Sequence, residues 1–199
     1  MRNQLLLTFL LSSGIAQGAT DAAAQYFSCR SCHGDTGLGS PAIHAPALAG
    51  QSRQYIARQL RNFKNGVRGE NAQDTWGRQM ALMAANLDEA AINSLSEFIA
   101  ALPPWPSGGK KVQKDTDSAQ LFASCAVCHG KAGEGKAEMN APRIGGLNST
   151  YLANQLRNFR SGIRGSAKED SYGQQMRSAL PSALDDDALE KLAHYIQGL

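Results

Sequence analysis

Adding 96 to a residue number in the first half of this chain lands repeatedly on the same residue in the second half, so the chain is expected to fold as two copies of one unit. Cys29, Cys32, His33 and Gly34 fall on Cys125, Cys128, His129 and Gly130, Pro46 on Pro142, Gly50 on Gly146, and Tyr55 on Tyr151. The segment QLRNFKNGVRG, from Gln59, falls on QLRNFRSGIRG, from Gln155, and Met80 falls on Met176. Past the methionines the offset becomes 97, pairing Leu87 with Leu184, Leu95 with Leu192 and Ile99 with Ile196, which places one inserted residue around Pro181. Two copies do not make a solenoid, so each is expected to be its own small domain, at residues 19–103 and 117–199. Between them, residues 104–116 read as a linker, because the stretch LPPWPSGGKK holds three prolines and two adjacent glycines and cannot continue a helix.

Charge is distributed as evenly as the repeat. Each copy carries as many acidic as basic side chains, and the excess of lysine sits in the linker at Lys110, Lys111 and Lys114, read as a solvated segment. This balance excludes a nucleic-acid-binding surface as the reason for the fold. One apolar run, Leu5 to Leu11, follows Arg2 and precedes the small residues Ala16, Gly18 and Ala19; it is too short to span a bilayer and reads as a secretory signal over residues 1–18. An exported chain with no hydrophobic anchor left after cleavage is expected.

Within each copy the apolar spacing is helical and not strand-like, so the fold class is all-α. Tyr55, Ile56, Gln59, Leu60 and Phe63 share one helix face, with Gly66 or Gly69 as the stop. Ile92, Leu95, Phe98 and Ile99 form a second amphipathic helix, begun by Asp88 and Glu89 at the end that favours negative charge; Leu189 to Ile196, begun by Asp185 to Asp187, is its copy. A third helix should run into each cysteine pair through residues 24–32 and 119–128. The Gly-, Pro- and Ala-rich stretches that follow the pairs read as loops. A unit this small and loop-rich lacks the apolar side chains to fill a core, which points to a large apolar cofactor.

The four cysteines form two pentads, CRSCH and CAVCH, one per copy. CxxCH is the attachment pattern of c-type haem: two thiols three residues apart on one helical turn add to the porphyrin vinyl groups, and the adjacent histidine comes to lie beneath the iron. A thioredoxin-like dithiol would need a preceding strand and a mixed α/β domain, and a structural zinc site would need both cysteine pairs close together. Two pentads at equivalent points of a duplicated helical unit favour two covalently bound haem c groups, attached at Cys29 and Cys32 and at Cys125 and Cys128. His33 and His129 would be the proximal iron ligands.

The repeat also selects the sixth ligands. Electron-carrying haems are commonly closed by methionine, and Met80 and Met83 both lie before the last helix of the first copy. Met80 has Met176 as its counterpart, whereas Met83 falls on Ala179, so Met80 and Met176 are the expected ligands and Met83 is expected in the core or at a haem edge. Tyr55, Gln59 and Arg68, with Tyr151, Gln155 and Arg164, are candidate partners for anionic haem propionates, or residues that shape the helix and its exit turn. Trp76 and Tyr172 read as aromatic packing near the methionines, His44 as a loop residue and His194 as solvent-exposed.

These motifs, with the PALAGQ and PRIGG loops and the YxxxQLRNFxxGxRG helices, resemble those of the dihaem class I cytochromes c of the cytochrome c4 family over essentially the whole mature chain. The resemblance implies two tandem cytochrome folds about a pseudo-twofold axis, with haems edge to edge near the interface. It implies single-electron transfer in the periplasm between a redox donor and acceptor, often towards a terminal oxidase, by a protein that is an electron carrier and not an enzyme. A monomer with membrane oxidase or reductase complexes as partners is expected. Two other readings are an electron-accepting subunit of a periplasmic dehydrogenase complex and a dihaem peroxidase, the latter opposed by a methionine at the same offset in both copies.

Overall fold

The computed structural model describes residues 14–105, 116–181 and 183–199, so the expected leader lies largely outside the described residues, as does most of the linker with its three lysines. The described residues form eight α-helices in two matching sets of four. The first set is α1 (Gly14–His33), α2 (Arg53–Lys64), α3 (Thr75–Ala84) and α4 (Glu89–Ala100); the second is α5 (Thr116–His129), α6 (Ser149–Arg160), α7 (Ser171–Ala179) and α8 (Asp186–Gln197). Strands are absent among the described residues; each copy holds only one isolated antiparallel bridge, Ser40 with Ala45 and Lys136 with Ala141, beside a single 3₁₀ turn. The all-α, duplicated reading is correct.

Each long helix begins and ends for local reasons. Ser52, Asp88, Asn148 and Asp185 cap α2, α4, α6 and α8 by accepting backbone N–H bonds with their side-chain oxygens. The stop after α2 comes at Asn65 and Gly66, the latter at φ +70°. In the first copy α4 packs against both α1 and α2, and in the second α8 does the same against α5 and α6. Ile92, Leu95 and Ile99, and their counterparts Leu189, Leu192 and Ile196, are almost wholly buried there. Where α1 meets α4, Tyr26 and Phe98 have ring centroids 5.3 Å apart; where α5 meets α8, Phe122 and Tyr195 lie 5.7 Å apart, the two ring types exchanged. Tyr26 donates to the Gly34 carbonyl at 2.8 Å, a bond that Phe122 at its place in the second copy cannot make, and burial pushes that phenol's pKa up to about 12.

Two features depart from the sequence reading. The segments carrying the methionines form a fourth helix in each copy, α3 and α7, beyond the three expected. Asp74 and Asp170 cap them by accepting from Gly77 N and Gly173 N at 3.0 and 2.9 Å, and a Cβ on either glycine would collide with the capping carboxylate. The inserted residue has a simple effect: Leu180 precedes Pro181, takes an extended conformation (ψ 123°), and ends α7 one residue earlier than α3 ends at the equivalent Ala84. The second departure is Trp105, near the start of the expected linker. It is buried in the core of the second copy and donates from Nε1 to the Gly145 carbonyl at 2.9 Å.

Candidate haem-binding site

The apolar faces of α2 and α4 and of α6 and α8 do not close on themselves. They line a cavity of about 760 Å³ that runs continuously from one copy into the other. Its wall includes Cys29, Cys32, His33 and Met80 from the first copy and Cys125, Cys128, His129 and Met176 from the second, so the structure gathers every expected attachment and ligand residue on one surface. Between them stand apolar side chains, among them Leu60, Phe63 and Leu95, and Leu156, Phe159 and Leu180.

Each pentad sits on the last turn of α1 or α5, which places both thiols on the side facing the cavity. None of the four cysteines is paired in a disulfide, and burial pushes the Cys29 and Cys125 thiols above the ordinary value. The histidines are held by the loops that follow. His33 Nδ1 lies 2.9 Å from the Pro46 carbonyl oxygen, and His129 Nδ1 lies 2.8 Å from that of Pro142. A carbonyl only accepts, so Nδ1 carries the proton in both rings and Nε2 keeps its lone pair. Burial lowers both imidazole pKa values, opposed by these carbonyl bonds, so the neutral metal-binding form prevails at neutral pH.

The six candidate propionate partners form one cluster between the copies. Arg68 donates to Gln59 Oε1 at 2.6 Å in its own copy and to Gln155 Oε1 at 2.9 Å in the other. Arg164 donates to Gln155 Oε1 at 2.7 Å, to Gln59 Oε1 at 3.1 Å and to the Tyr55 hydroxyl at 3.4 Å. The exchange Arg68–Gln155 and Arg164–Gln59 is reciprocal, as contact about a twofold axis requires. Tyr151 lines the cavity beside them. Both guanidiniums are buried, both leave Nε without a partner, and among the described residues neither is ion-paired with a carboxylate. Burial opposes ionisation of the Tyr55 phenol, but the Arg164 and Arg68 charges outweigh it and lower its pKa. Buried cations with spare donors, facing an apolar slot that also offers thiols, an imidazole lone pair and a thioether, fit a flat apolar cofactor carrying anionic side groups.

The remaining expectations divide. Met83 is half exposed and belongs to the mouth of the cavity, not to the core. Trp76 stacks on His44 with ring centroids 4.4 Å apart, and His194 is exposed on α8. Sequence reading missed three interface residues, Gln51, Arg58 and Arg143. Their counterparts Leu147, Asn154 and Ala47 are of different types, so matching of the copies passes over them.

An all-helical domain that presents CxxCH on one helix and a methionine on another, across an apolar slot, defines a c-type cytochrome, and this chain contains two such domains. The family model described as cytochrome c matches residues 19–103 and again 116–199. The chain belongs to the cytochrome c family, with the dihaem cytochromes c4 as its relatives over nearly its full length. It is 31% identical over 214 residues to the cytochrome c4 of Azotobacter vinelandii, covering 99% of each chain. The crystal structure of reduced recombinant cytochrome c4 from Pseudomonas stutzeri superposes with a TM-score of 0.73 at 26% identity, over 91% of this chain and 98% of that one. A thiosulfate dehydrogenase electron acceptor of Thiomonas intermedia is 32% identical over 177 residues, 82% of this chain and 78% of its own. The protein is an electron-transfer cytochrome with two covalently bound haem c groups.

Proposed function

We propose that the protein is a periplasmic carrier that takes single electrons from one respiratory partner and delivers them to another, with a terminal oxidase as the final acceptor. The observation that carries this reading is the continuity of the cavity, which puts two equivalent cofactor sites side by side within one chain. Each haem supplies a one-electron Fe(III)/Fe(II) couple. The chain's own residues would attach, ligate and shield it: Cys29, Cys32, Cys125 and Cys128 would form the thioether links, and His33 and His129, with Met80 and Met176, would hold the irons. Arg68 and Arg164, positioned by Gln59, Gln155, Tyr55 and Tyr151, neutralise propionates at the centre of the interface. A haem held by a histidine and a methionine of this chain would offer no iron site to a substrate, and transfer would be outer-sphere. Among the described residues no helix is long and apolar enough to cross a membrane, which suits a carrier that moves between partners.

A second reading follows from the thiosulfate dehydrogenase electron acceptor among the relatives: the same two domains would accept electrons from a dehydrogenase held as a stable partner. One experiment tests both. The reduced protein is mixed with membranes containing a terminal oxidase, and its reoxidation is followed in the visible spectrum. Cyanide-sensitive reoxidation at a rate first order in carrier supports the diffusing carrier. Absence of reoxidation, together with co-purification of a second chain from the native periplasm, supports the subunit reading.

A further inference from the structure

The interface between the copies is symmetric at its centre and asymmetric at its rim. Arg58, on α2 of the first copy, reaches into the second: it donates to the Asn140 carbonyl at 2.8 Å and to Asn140 Oδ1 at 3.2 Å, and its guanidinium lies 4.4 Å from the centroid of the Tyr172 ring. Gln51, also of the first copy, donates to the Arg143 carbonyl at 2.7 Å and accepts from Arg143 N at 3.1 Å. Asn140 and Arg143 flank Pro142, whose carbonyl holds His129. Tyr172 stands one turn before Met176 on α7. The first copy therefore grips the second copy's site on both its histidine loop and its methionine helix. The second copy's return is narrower: Asn158 donates to Asp74 at the start of α3, but the counterparts of Gln51 and Arg58 are Leu147 and Asn154, and among the described residues no hydrogen bond joins them to the His44–Ala47 loop. His44 Nδ1 and Asn62 Nδ2 are left buried without partners, whereas the equivalent Asn140 and Asn158 are bonded across the interface, Asn158 to Asp74 at 3.3 Å.

Charge follows the same asymmetry. Arg68 and Arg164 are equivalent, as are the buried carboxylates Asp74 and Asp170, so neither pair distinguishes the two sites. Arg143, where the first copy has Ala47, turns its guanidinium to the carbonyl and ring of Trp105. Arg58 has no equivalent. The titratable and charged groups that act on it are Tyr55, Tyr172, Asp170 and Arg164, and three of these belong to the second copy.

We propose that Arg58 is a positioning and tuning residue that acts in trans, raising the reduction potential of the second haem from the first domain while leaving the first haem unaffected. This inference rests on the two-haem reading of the cavity. A fixed positive charge beside a haem disfavours its more positive, ferric state, and a half-buried site screens that charge less than bulk water does.

The test is a spectroelectrochemical titration of the haem-loaded full chain, wild type against Arg58→Gln and Arg58→Lys. Met176→His, which displaces the second haem's step, assigns the two one-electron steps to their domains. In Arg58→Gln the oxidised-to-reduced ratio of the second haem, read at its wild-type midpoint, should rise about tenfold, or about 59 mV for a one-electron couple, while the first step stays in place and Arg58→Lys restores the wild-type value. An unmoved second step, an equal shift of both steps, or the same shift in Arg58→Lys overturns the proposal. Arg58→Met replaces the glutamine variant if that protein is poorly produced. A haem count of two with an intact methionine band in each variant keeps the outcome separate from the two-haem reading itself.

Discussion

Replacing Arg164 with methionine should destabilise the haem-loaded protein by about 3 kcal/mol or more, and the size of the loss identifies what the guanidinium faces. The protein contacts alone account for little. Gln155 Oε1 accepts from both Arg164 and Arg68, at 2.7 and 2.9 Å, and Gln59 Oε1 does likewise at 3.1 and 2.6 Å, so each carbonyl keeps one donor when Arg164 is removed. The Tyr55 hydroxyl loses only a 3.4 Å contact. On that ledger the change costs about 1 kcal/mol at most, and removal of a buried, unpaired cation would offset even that. A propionate facing Arg164 reverses the result, because the variant then leaves an anion buried without its partner, at a cost of about 3–5 kcal/mol. Urea unfolding followed in the Soret band, with midpoint and slope fitted together, measures the difference. Arg68→Met should behave alike, since the two residues are reciprocal. A loss within about 1 kcal/mol in both variants, or a gain, would refute the assignment of these arginines to propionates.

Met176→His should remove half of the near-infrared band of methionine-ligated ferric haem, Met80→His the other half, and Met83→Leu none; each spectrum is read on the oxidised protein. Gly77→Ala forces the capping carboxylate of Asp74 out of place, and should cost about 1–3 kcal/mol in urea unfolding, with the methionine band weakened in the first domain only. Trp105→Ala leaves a cavity in the second copy's core and leaves the Gly145 carbonyl only the long 3.5 Å bond from Arg143 Nε; a loss of about 3–5 kcal/mol is expected in the unfolding of that domain.

The parts of this architecture that repeat were readable from the chain, and those that do not repeat were not. The CxxCH pentads and the helix faces of Ile92 to Ile99 and Leu189 to Ile196 follow from matching the copies, and the expectation of Met80 over Met83 rests on the same match. Helices α3 and α7 were missed because Trp76, Met80 and Met176 line the cofactor cavity, so their spacing lacks the stripe that marks a helix packed on a protein core. The signal that would have found them is the Asp–x–x–Gly start at Asp74 and Asp170, where a carboxylate just ahead of a helix accepts the free N–H three residues on. The interface rim was hidden for the opposite reason. Gln51 and Arg58 matter where their counterparts Leu147 and Asn154 differ, and a comparison built on identity discards them. Arg68 and Arg164 stand out in the sequence as candidates for propionate contact or for shaping the helix exit, but their reciprocal bonds across the copies depend on how the domains meet, which no single repeat encodes.

The central claim is that one chain carries two haems, each closed by histidine and methionine. A pyridine haemochrome count combined with the near-infrared spectrum of the oxidised, periplasmically expressed protein tests it most directly. Two covalent haems per chain, with a methionine band of the amplitude two such centres give, are expected. A single haem, or two haems of which one lacks the band, would contradict the equivalence of the two sites on which the account is built.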